Sequence, residues 1–450
     1  MQPEVSLSRR RGQRGQTIVL VAISIVSLLA MAALAIDVVT LYVARTEIQR
    51  AADAAALAGA KGIADSGVTG LPISDTNFTG AEALAQSMAQ AAINAVIATN
   101  LVAGSAASLV GSPSFSFTTT NTTLLVDDPR VTVTLRQTNL PTFFARIFGR
   151  TGATVTASAT AEAYNPANLA SYTPISPRCV KPWLVANADP TQNGGAFINK
   201  ATGAVEPQAS GEMFDLTPDC SSATATCTHT DNPPQSYPNG SPALPKNTVE
   251  YMVAQVTANA ANVCPACAGA TNYEQSIECC DANTYAYLNC GGGAANVQWD
   301  NTTDPSGVTG LSATGTECLA HASAAGWGQG QDKLDPSLWP ASAPMKITAQ
   351  SGPQSGNVVS TSSSVVTIPI IDNTATITTT NPVIVGFLQA FINCVEDGTQ
   401  KNCDTAGSST PGDINITVMN VVGCSNNPTA ATPIVGGTGP SAIPVRLISP

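Results

Sequence analysis

Residues 17–36 read "TIVLVAISIVSLLAMAALAI", 20 consecutive positions without a charged residue, a proline or a glycine. An α-helix rises about 1.5 Å per residue, so a helix of this length matches the roughly 30 Å hydrocarbon core of a lipid bilayer. The stretch therefore predicts a transmembrane helix, which we place at residues 16–36. The compartment in which the rest of the chain lies depends on which end of this helix faces the cytoplasm.

The segment before the span is basic. It contains four arginines, and no comparable cluster follows the span: Arg9, Arg10, Arg11 and Arg14. Positively charged flanks of a transmembrane helix stay in the cytoplasm. We therefore predict a cytoplasmic leader at residues 1–15, a single membrane crossing, and an extracytoplasmic location for the remainder of the chain.

The alternative to a retained helix is a signal peptide. A basic segment, an apolar stretch and the small-residue sequence Ala33-Leu34-Ala35 have the layout of a peptide that is cleaved after Ala35. The apolar run is, however, longer than an ordinary signal-peptide core of about 7–15 residues. No glycine, proline or polar residue interrupts the helix before the small residues. We therefore expect the helix to be retained.

Composition narrows the class of protein. Charged residues make up 11% of the chain, against about 25% in ordinary soluble proteins. The net charge is −11, and removing residues 1–15, with four arginines and Glu4, leaves 15 basic and 29 acidic side chains. A surface with this excess of negative charge repels phosphate backbones, so the sequence argues against nucleic-acid binding.

All 12 cysteines follow residue 178. An even number of cysteines, confined to the part predicted to lie outside, favours disulfides made in an oxidising compartment. Spacing singles out one local pair, Cys394 with Cys403, because "VEDGTQKN" between them contains the turn signal Asp397-Gly398 between apolar segments. The sequence does not choose the partners of the others: Cys179, Cys220, Cys227, Cys264, Cys267, Cys279, Cys280, Cys290, Cys318 and Cys424.

The helical period continues beyond the span. Apolar residues after residue 37 recur at helical spacing, so residues 17–58 are predicted to form one helix, with Gly59 and Gly62 as stop signals. A second helix is predicted at residues 80–98. Val131, Val133 and Leu135 alternate with polar residues, and "TVTASATAEA" alternates again, which predicts strands. Residues 37–165 are thus predicted to form a juxtamembrane helix with a small α/β unit.

Residues 166–450 have a different character. The stretches at 187–246 and 291–365 are rich in Pro, Asn, Gly and Ser and are predicted to be long loops. Alternating segments predict strands at four places: 363–371, 383–393, 414–422 and 442–448. The predicted fold class is α+β, with a long N-terminal transmembrane helix, a small α/β unit, and a loop-rich, mainly β, disulfide-bearing C-terminal region.

Several separated motifs resemble the N-terminal module of the Flp pilus-assembly TadG-like family. They are "RGQRGQ", the apolar span ending at Asp37, and "YVARTEIQRAADAAALAGA", which contains Asp53; "LPTFFARIFG" and "VTASATAEA" are similar to later parts of that module. The resemblance covers roughly residues 10–165 and makes Asp37 and Asp53 family-motif positions. It implies an outward-facing component of a tight-adherence pilus system, anchored in the bacterial inner membrane.

Three patterns could carry chemistry. "CPAC", Cys264 to Cys267, has redox spacing, but no strand precedes it and no obvious helix follows, which favours structural disulfides. Together with Cys318 and His321 it could form a zinc site, which an oxidising compartment disfavours; the other histidine, His229, has no partner motif. Asp372-Asn-Thr-Ala-Thr376 approaches the D-x-S-x-S metal motif of von Willebrand factor A-type domains, but threonine replaces both serines.

The absence of a convincing catalytic motif favours a non-enzymatic protein without a cofactor or small-molecule substrate, and the family resemblance implies a membrane-anchored pilus-assembly component. The Ala-rich helix at residues 45–58 either packs against partner helices, in a complex or a homo-oligomer, or packs onto its own small unit. Two alternatives remain: a secreted cell-surface adhesin released after Ala35, and an extracytoplasmic thiol oxidoreductase that depends on "CPAC" alone.

Overall fold

The computed structural model describes most of the chain, in separate segments. The described residues are 12–70, 78–118, 127–142, 144–145, 149, 152–163, 180–191, 195–200, 205, 209, 211–219, 232–241, 246–256, 269, 271–279, 288–293, 297–307, 310–320, 332–335, 346–359, 362–396, 412–424, 443 and 445–449.

One continuous helix, α1, runs over Gly12–Asp65 and is followed by a 3₁₀ turn at Val68–Gly70. The predicted stops at Gly59 and Gly62 are wrong, because the helix continues through both. The physical reason is packing: a Cβ on Gly62 would lie 2.7 Å from the backbone nitrogen of Ala89. Ala89 belongs to the second helix, α2, at Phe78–Thr99, close to the predicted 80–98. The glycines therefore allow close approach of two helices.

An antiparallel sheet packs against these helices. Its long central strands are β5 (Asp127–Leu140) and β6 (Ala153–Ala163), which pair with each other, and its shorter strands include β3 (Ser108–Leu109) and β4 (Ser114–Thr118). Two further short strands, β1 (Leu101–Val102) and β2 (Ser105–Ala106), lie outside this sheet. β3 and β4 both pair with β5, while β1 and β2 form a separate hairpin. The predicted strand alternation is confirmed, since Val131, Val133 and Leu135 are all buried.

The remaining elements form the C-terminal region. The strands are β7 (Trp183–Ala186), β8 (Met213–Pro218), β9 (Ser236–Tyr237), β10 (Thr248–Val253), β11 (Gly291–Gly292), β12 (Lys333–Asp335), β13 (Lys346–Thr348), β14 (Val358–Val359), β15 (Val365–Ile371), β16 (Val383–Val395), β17 (Ile414–Gly423) and β18 (Val445–Ser449). Two short helices are α3 (Asn272–Glu278) and α4 (Leu311–Leu319), and a 3₁₀ turn lies at Gly352–Gln354.

Six of these strands close into a barrel. They pair in the order β16-β15-β7-β10-β8-β17, and β17 pairs again with β16. The β10–β8 and β15–β7 pairs are parallel and the others are antiparallel. Alternate residues point inward and fill the interior, as in other small barrels; examples are Val366, Ile368 and Ile370 on β15.

Other parts of the chain cover the outer face of the barrel, and the helices α3 and α4 pack against its interior residues. Outward residues of its strands, among them Leu184, Met252 and Phe387, belong to the same hydrophobic cluster as the core between α1, α2 and the first sheet. Tyr273 of α3 and Leu319 of α4 join the barrel's interior cluster. The small sheet β12-β13-β14 packs outside. These strands are therefore buried on both faces.

The four strands predicted in this region are confirmed as β15, β16, β17 and β18. The prediction of long loops is wrong in parts of both stretches. The first, 187–246, contains β8 and β9, and the second, 291–365, contains β11, α4, β12, β13, β14 and the 3₁₀ turn. Asp and Pro in "MFDLTP" are poor strand formers, and "LSATGTECL" contains Gly and two Thr. Burial in the barrel and against it overrides these weak local preferences.

The last strand returns to the first sheet. β18 pairs antiparallel with β6, opposite Thr160–Ala163. Glu162, with only 1% of its side chain exposed, accepts from Arg130 of β5 at 3.1 Å and from Arg446 of β18 at 2.6 Å. The end of the chain thus completes the N-terminal unit, by which we mean residues 12–163 together with β18. The division at residue 165 stays a prediction. The predicted α+β class, with a mainly β C-terminal region, is confirmed.

Candidate functional site at the membrane end of α1

The first half of α1 is an apolar helix that the rest of the chain leaves largely uncovered. Consecutive residues on all sides are exposed, for example Ile18, Val19, Leu20 and Val21, and Leu29 near the middle is 64% exposed. The helix is long and apolar enough to cross a membrane. Monomeric soluble proteins rarely expose a contiguous apolar surface of this size, so this half of α1 has the length and the surface expected of a single-pass membrane anchor.

Asp37 lies directly after the apolar run and is almost completely buried, at 3% exposure. Its Oδ2 accepts hydrogen bonds from the backbone N–H groups of Phe144, at 3.0 Å, and Ala145, at 2.7 Å. A carboxylate beside a bilayer is costly unless it is paired, and backbone donors to a charged acceptor form strong hydrogen bonds. Asp37 therefore attaches the loop after β5 to the membrane end of α1.

The second half of α1 is the central helix of the N-terminal unit. Its small and aliphatic residues form a stripe buried against α2, β5 and β6: Ala44, Ile48, Ala51, Ala52, Ala55, Ala56, Ala60, Ile63 and Ala64. The Ala-rich segment at residues 45–58 therefore packs onto its own unit. The alternative in which this same stripe packs against partner helices is wrong, because the stripe is already covered.

Asp53, the second motif aspartate, lies 16 residues further along α1, about 24 Å at the rise of a helix. Gln49 Nε2 donates to Asp53 Oδ1 at 2.8 Å and to the backbone oxygen of Ser158 on β6 at 3.3 Å. Asp53 thus orients the glutamine that ties α1 to the sheet. The structure does not bring the two motif aspartates together, and each has a separate positioning contact.

Five of the 12 cysteines lie within the described residues, and all five are in disulfides: Cys279, Cys290, Cys318, Cys394 and Cys424. Cys290, beside β11, is bonded to Cys424 at the end of β17, across 134 residues of sequence and with Cα atoms 5.7 Å apart. The pairing of Cys394 with Cys403 stays a prediction, since Cys403 lies outside the described residues. The others outside are Cys179, Cys220, Cys227, Cys264, Cys267 and Cys280.

The sequence-derived metal candidates gain no support. Cys318 is in a disulfide, so it cannot be a thiolate ligand of the zinc set; His229 and His321 lie outside the described residues. Within the described segments, no group of three or more His, Cys, Asp or Glu is placed to hold a metal ion. Asp372 instead accepts from Lys200 Nζ at 3.1 and 3.3 Å and from the backbone N–H and hydroxyl of Thr374. The lysine ammonium supplies the positive charge beside this carboxylate.

One buried polar cluster was missed by sequence reasoning. Ser312 Oγ of α4 lies 2.7 Å from the hydroxyls of both Tyr251 on β10 and Tyr273 on α3, and Lys181 Nζ donates to the backbone oxygen of Ile277. Burial raises the pKa of both tyrosines and lowers the pKa of Lys181 to about 7. These groups are buried, and their hydrogen bonds hold α3 and α4 against the barrel. No sequence motif marked them, because they come from four distant segments.

A comparison with protein-family models matches residues 15–62 to the family described as putative Flp pilus-assembly TadE/G-like. No curated protein and no solved structure matches the chain. The matched residues comprise the apolar span, both motif aspartates and the buried stripe of α1 as far as Gly62. Residues 15–62 are therefore similar to the TadE/G-like family, and this match supports involvement in a Flp/Tad pilus-related system.

Proposed function

We propose that the protein is an inner-membrane-anchored, extracytoplasmic scaffolding component of Flp/Tad-type pilus assembly or surface adherence. The observation that carries the proposal is the continuity of α1, which passes without a break from an apolar exposed half into the buried centre of the N-terminal unit. A rigid helix of this kind transmits a fixed position and orientation from the bilayer to the folded region. That is a scaffolding property.

The orientation is supported by charge and by cysteine chemistry. Arginines cluster only before the span, which favours a cytoplasmic N-terminus. The disulfides of the C-terminal region, including Cys290–Cys424, are of the kind that persists in an oxidising compartment. The part of the chain after the span therefore belongs, in this proposal, to the periplasmic or extracellular side.

Retention of the helix is supported by what surrounds the possible cleavage site. Ala33 and Asp37 flank the bond after Ala35, and both are buried in the folded chain. Cleavage there would require unwinding a continuous helix and would leave Asp37 at the second position of a new N-terminus. A structural role is supported by the enclosed position of the Ser312 cluster and by the ion pair at Asp372.

The test combines fractionation, N-terminal mass and a pilus assay. Deletion of the gene should abolish Flp-type pili, and the wild-type chain should restore them and be recovered intact from the inner membrane. Leu28→Arg with Leu29→Arg should prevent rescue, because each arginine near the centre of the span costs roughly 2.5–3.5 kcal/mol. The matched Leu28→Val, Leu29→Val variant should rescue. A mature protein that begins at Ile36 and is released by salt would refute anchoring and favour the secreted adhesin.

A further inference from the structure

Phe144 and Ala145, which follow β5, lie at the level where α1 leaves the apolar run. The backbone nitrogens of Phe144 and Ala145 are within hydrogen-bonding distance of Asp37, the first residue after that run. Ala33 is also buried, although it lies inside the run among exposed neighbours. The loop is held at the edge of the span.

An aromatic side chain lies at this position. Phe144 is 36% exposed even though its backbone is held by Asp37. Aromatic side chains are enriched at the level of lipid headgroups, where a ring with an exposed face contacts the interface. Tyr42 is a second exposed aromatic, five residues beyond Asp37 on α1.

We propose that the Phe144 loop, by which we mean the described residues Phe144 and Ala145, is a second membrane contact that rests in the headgroup region of the outer leaflet beside α1. The occupant of this surface is lipid, because the loop is fixed to the end of the helix that crosses the bilayer. The inference rests on the proposed anchoring of α1 and adds to it. Two contacts, a span and a loop at its edge, prevent the N-terminal unit from tilting and rotating freely above the membrane.

Asp37 is the positioning residue of this contact. Its carboxylate holds two backbone N–H groups of the loop, so the loop cannot move along α1 while both bonds persist. An asparagine at this position keeps an acceptor oxygen of the same reach, whereas a leucine of similar size offers none. The pair Asp37→Asn and Asp37→Leu therefore separates the role of the hydrogen bonds from the role of side-chain volume.

The test uses the full-length chain in lipid nanodiscs and reads tryptophan quenching by brominated lipids. Phe144→Trp is compared with the wild type, whose four native tryptophans supply a constant background. Leu29→Trp is the control for a residue inside the bilayer. Val358→Trp, on a strand packed outside the barrel with 64% of the residue exposed, is the control for a surface tryptophan.

We expect lipid brominated near the headgroup to quench Phe144→Trp several-fold more than Val358→Trp, and lipid brominated near the chain ends to quench Leu29→Trp most. Adding Asp37→Leu to Phe144→Trp should reduce the extra quenching, and adding Asp37→Asn should preserve most of it. Quenching of Phe144→Trp no greater than that of Val358→Trp, with Leu29→Trp fully quenched, overturns the loop contact alone. Absence of quenching at Leu29→Trp overturns the anchoring itself, and this inference with it.

Discussion

Gly62→Ala tests how closely α1 and α2 pack. A Cβ at this position would lie 2.7 Å from Ala89 N, 2.8 Å from Ala89 Cα and 2.9 Å from the carbonyl carbon of Met88. Ordinary van der Waals contacts of a Cβ begin at 3.4 Å, so the two helices would have to separate by about 0.7 Å. All three atoms belong to backbone, which cannot turn aside as a side chain does.

Two opposing terms set the magnitude. Alanine is about 1 kcal/mol more favourable than glycine inside a helix, whereas overpacking a close contact costs roughly 1–3 kcal/mol and more where backbone must move. We expect a net loss of about 1–2 kcal/mol of unfolding free energy, which corresponds to a fall in Tm of roughly 2–8 °C for a unit of this size. The overpacking term is larger because neither helix backbone can yield locally.

Gly59→Ala is the matched control on the same helix. Its Cβ would meet Ile93 Cδ1 at 2.9 Å, the far end of a side chain that can turn about its last bond, and Val131 Cγ1 at 3.1 Å, which has to move by only a few tenths of an ångström. The gain in helix propensity is the same, so Gly59→Ala should remain within about 1 kcal/mol of the wild type. The assay is thermal unfolding in detergent micelles followed by circular dichroism. A Gly62→Ala protein that unfolds at or above the wild-type temperature would refute the close approach of α1 and α2.

Three further outcomes are expected. Because burial lowers the pKa of Lys181 to about 7, from 10.5, the folded state binds fewer protons than the unfolded state between these values. The free energy of unfolding of the wild type, relative to that of Lys181→Met, should therefore rise between pH 7 and pH 9 by up to about 1.4 kcal/mol per pH unit, and the Tm difference between the two proteins measures it. A Tm difference that falls with pH would contradict a buried neutral amine. Replacing Cys290 and Cys424 by serine should lower stability, by up to about 5 kcal/mol if this loop had no other cross-link, and an unchanged Tm would count against the bridge. Non-reducing peptide mapping should join Cys394 to Cys403, and recovery of Cys394 with any other cysteine would disprove that pairing.

The sequence was sufficient wherever the signal is local and repeated. The 20 uncharged residues at 17–36 predict a helix that is stable in an apolar environment, because a helix satisfies its backbone hydrogen bonds internally and these side chains do not need water. The period of α1 and the alternation of β5 and β6 likewise reflect one buried face and one exposed face. The strands β15 to β17 were predicted from their alternating pattern, and their β-branched residues favour the same extended backbone.

Pairings between distant segments were decided only by the tertiary structure. Asp37 meets Phe144 across 107 residues, and Cys290 meets Cys424 across 134. No periodicity within one segment encodes such a partner, because the partner's position depends on how every intervening element packs. The prediction that Gly62 ends the helix was wrong for the same reason: the sequence does not distinguish a glycine that ends a helix from one that lets a neighbouring helix approach closely.

Closure of the barrel is the largest feature that the sequence did not indicate. Strands β7 and β10 are buried along their whole length, so they lack the alternation that marks a strand with one wet face. Their inner residues fill the barrel, and outer residues such as Leu184 and Met252 meet the core of the N-terminal unit. The sequence determined the membrane span, the long helix and the best-patterned strands. Tertiary packing decided which strands close the barrel, and that the last strand of the chain returns to the sheet that α1 carries, because both depend on surfaces that exist only once the other elements are folded.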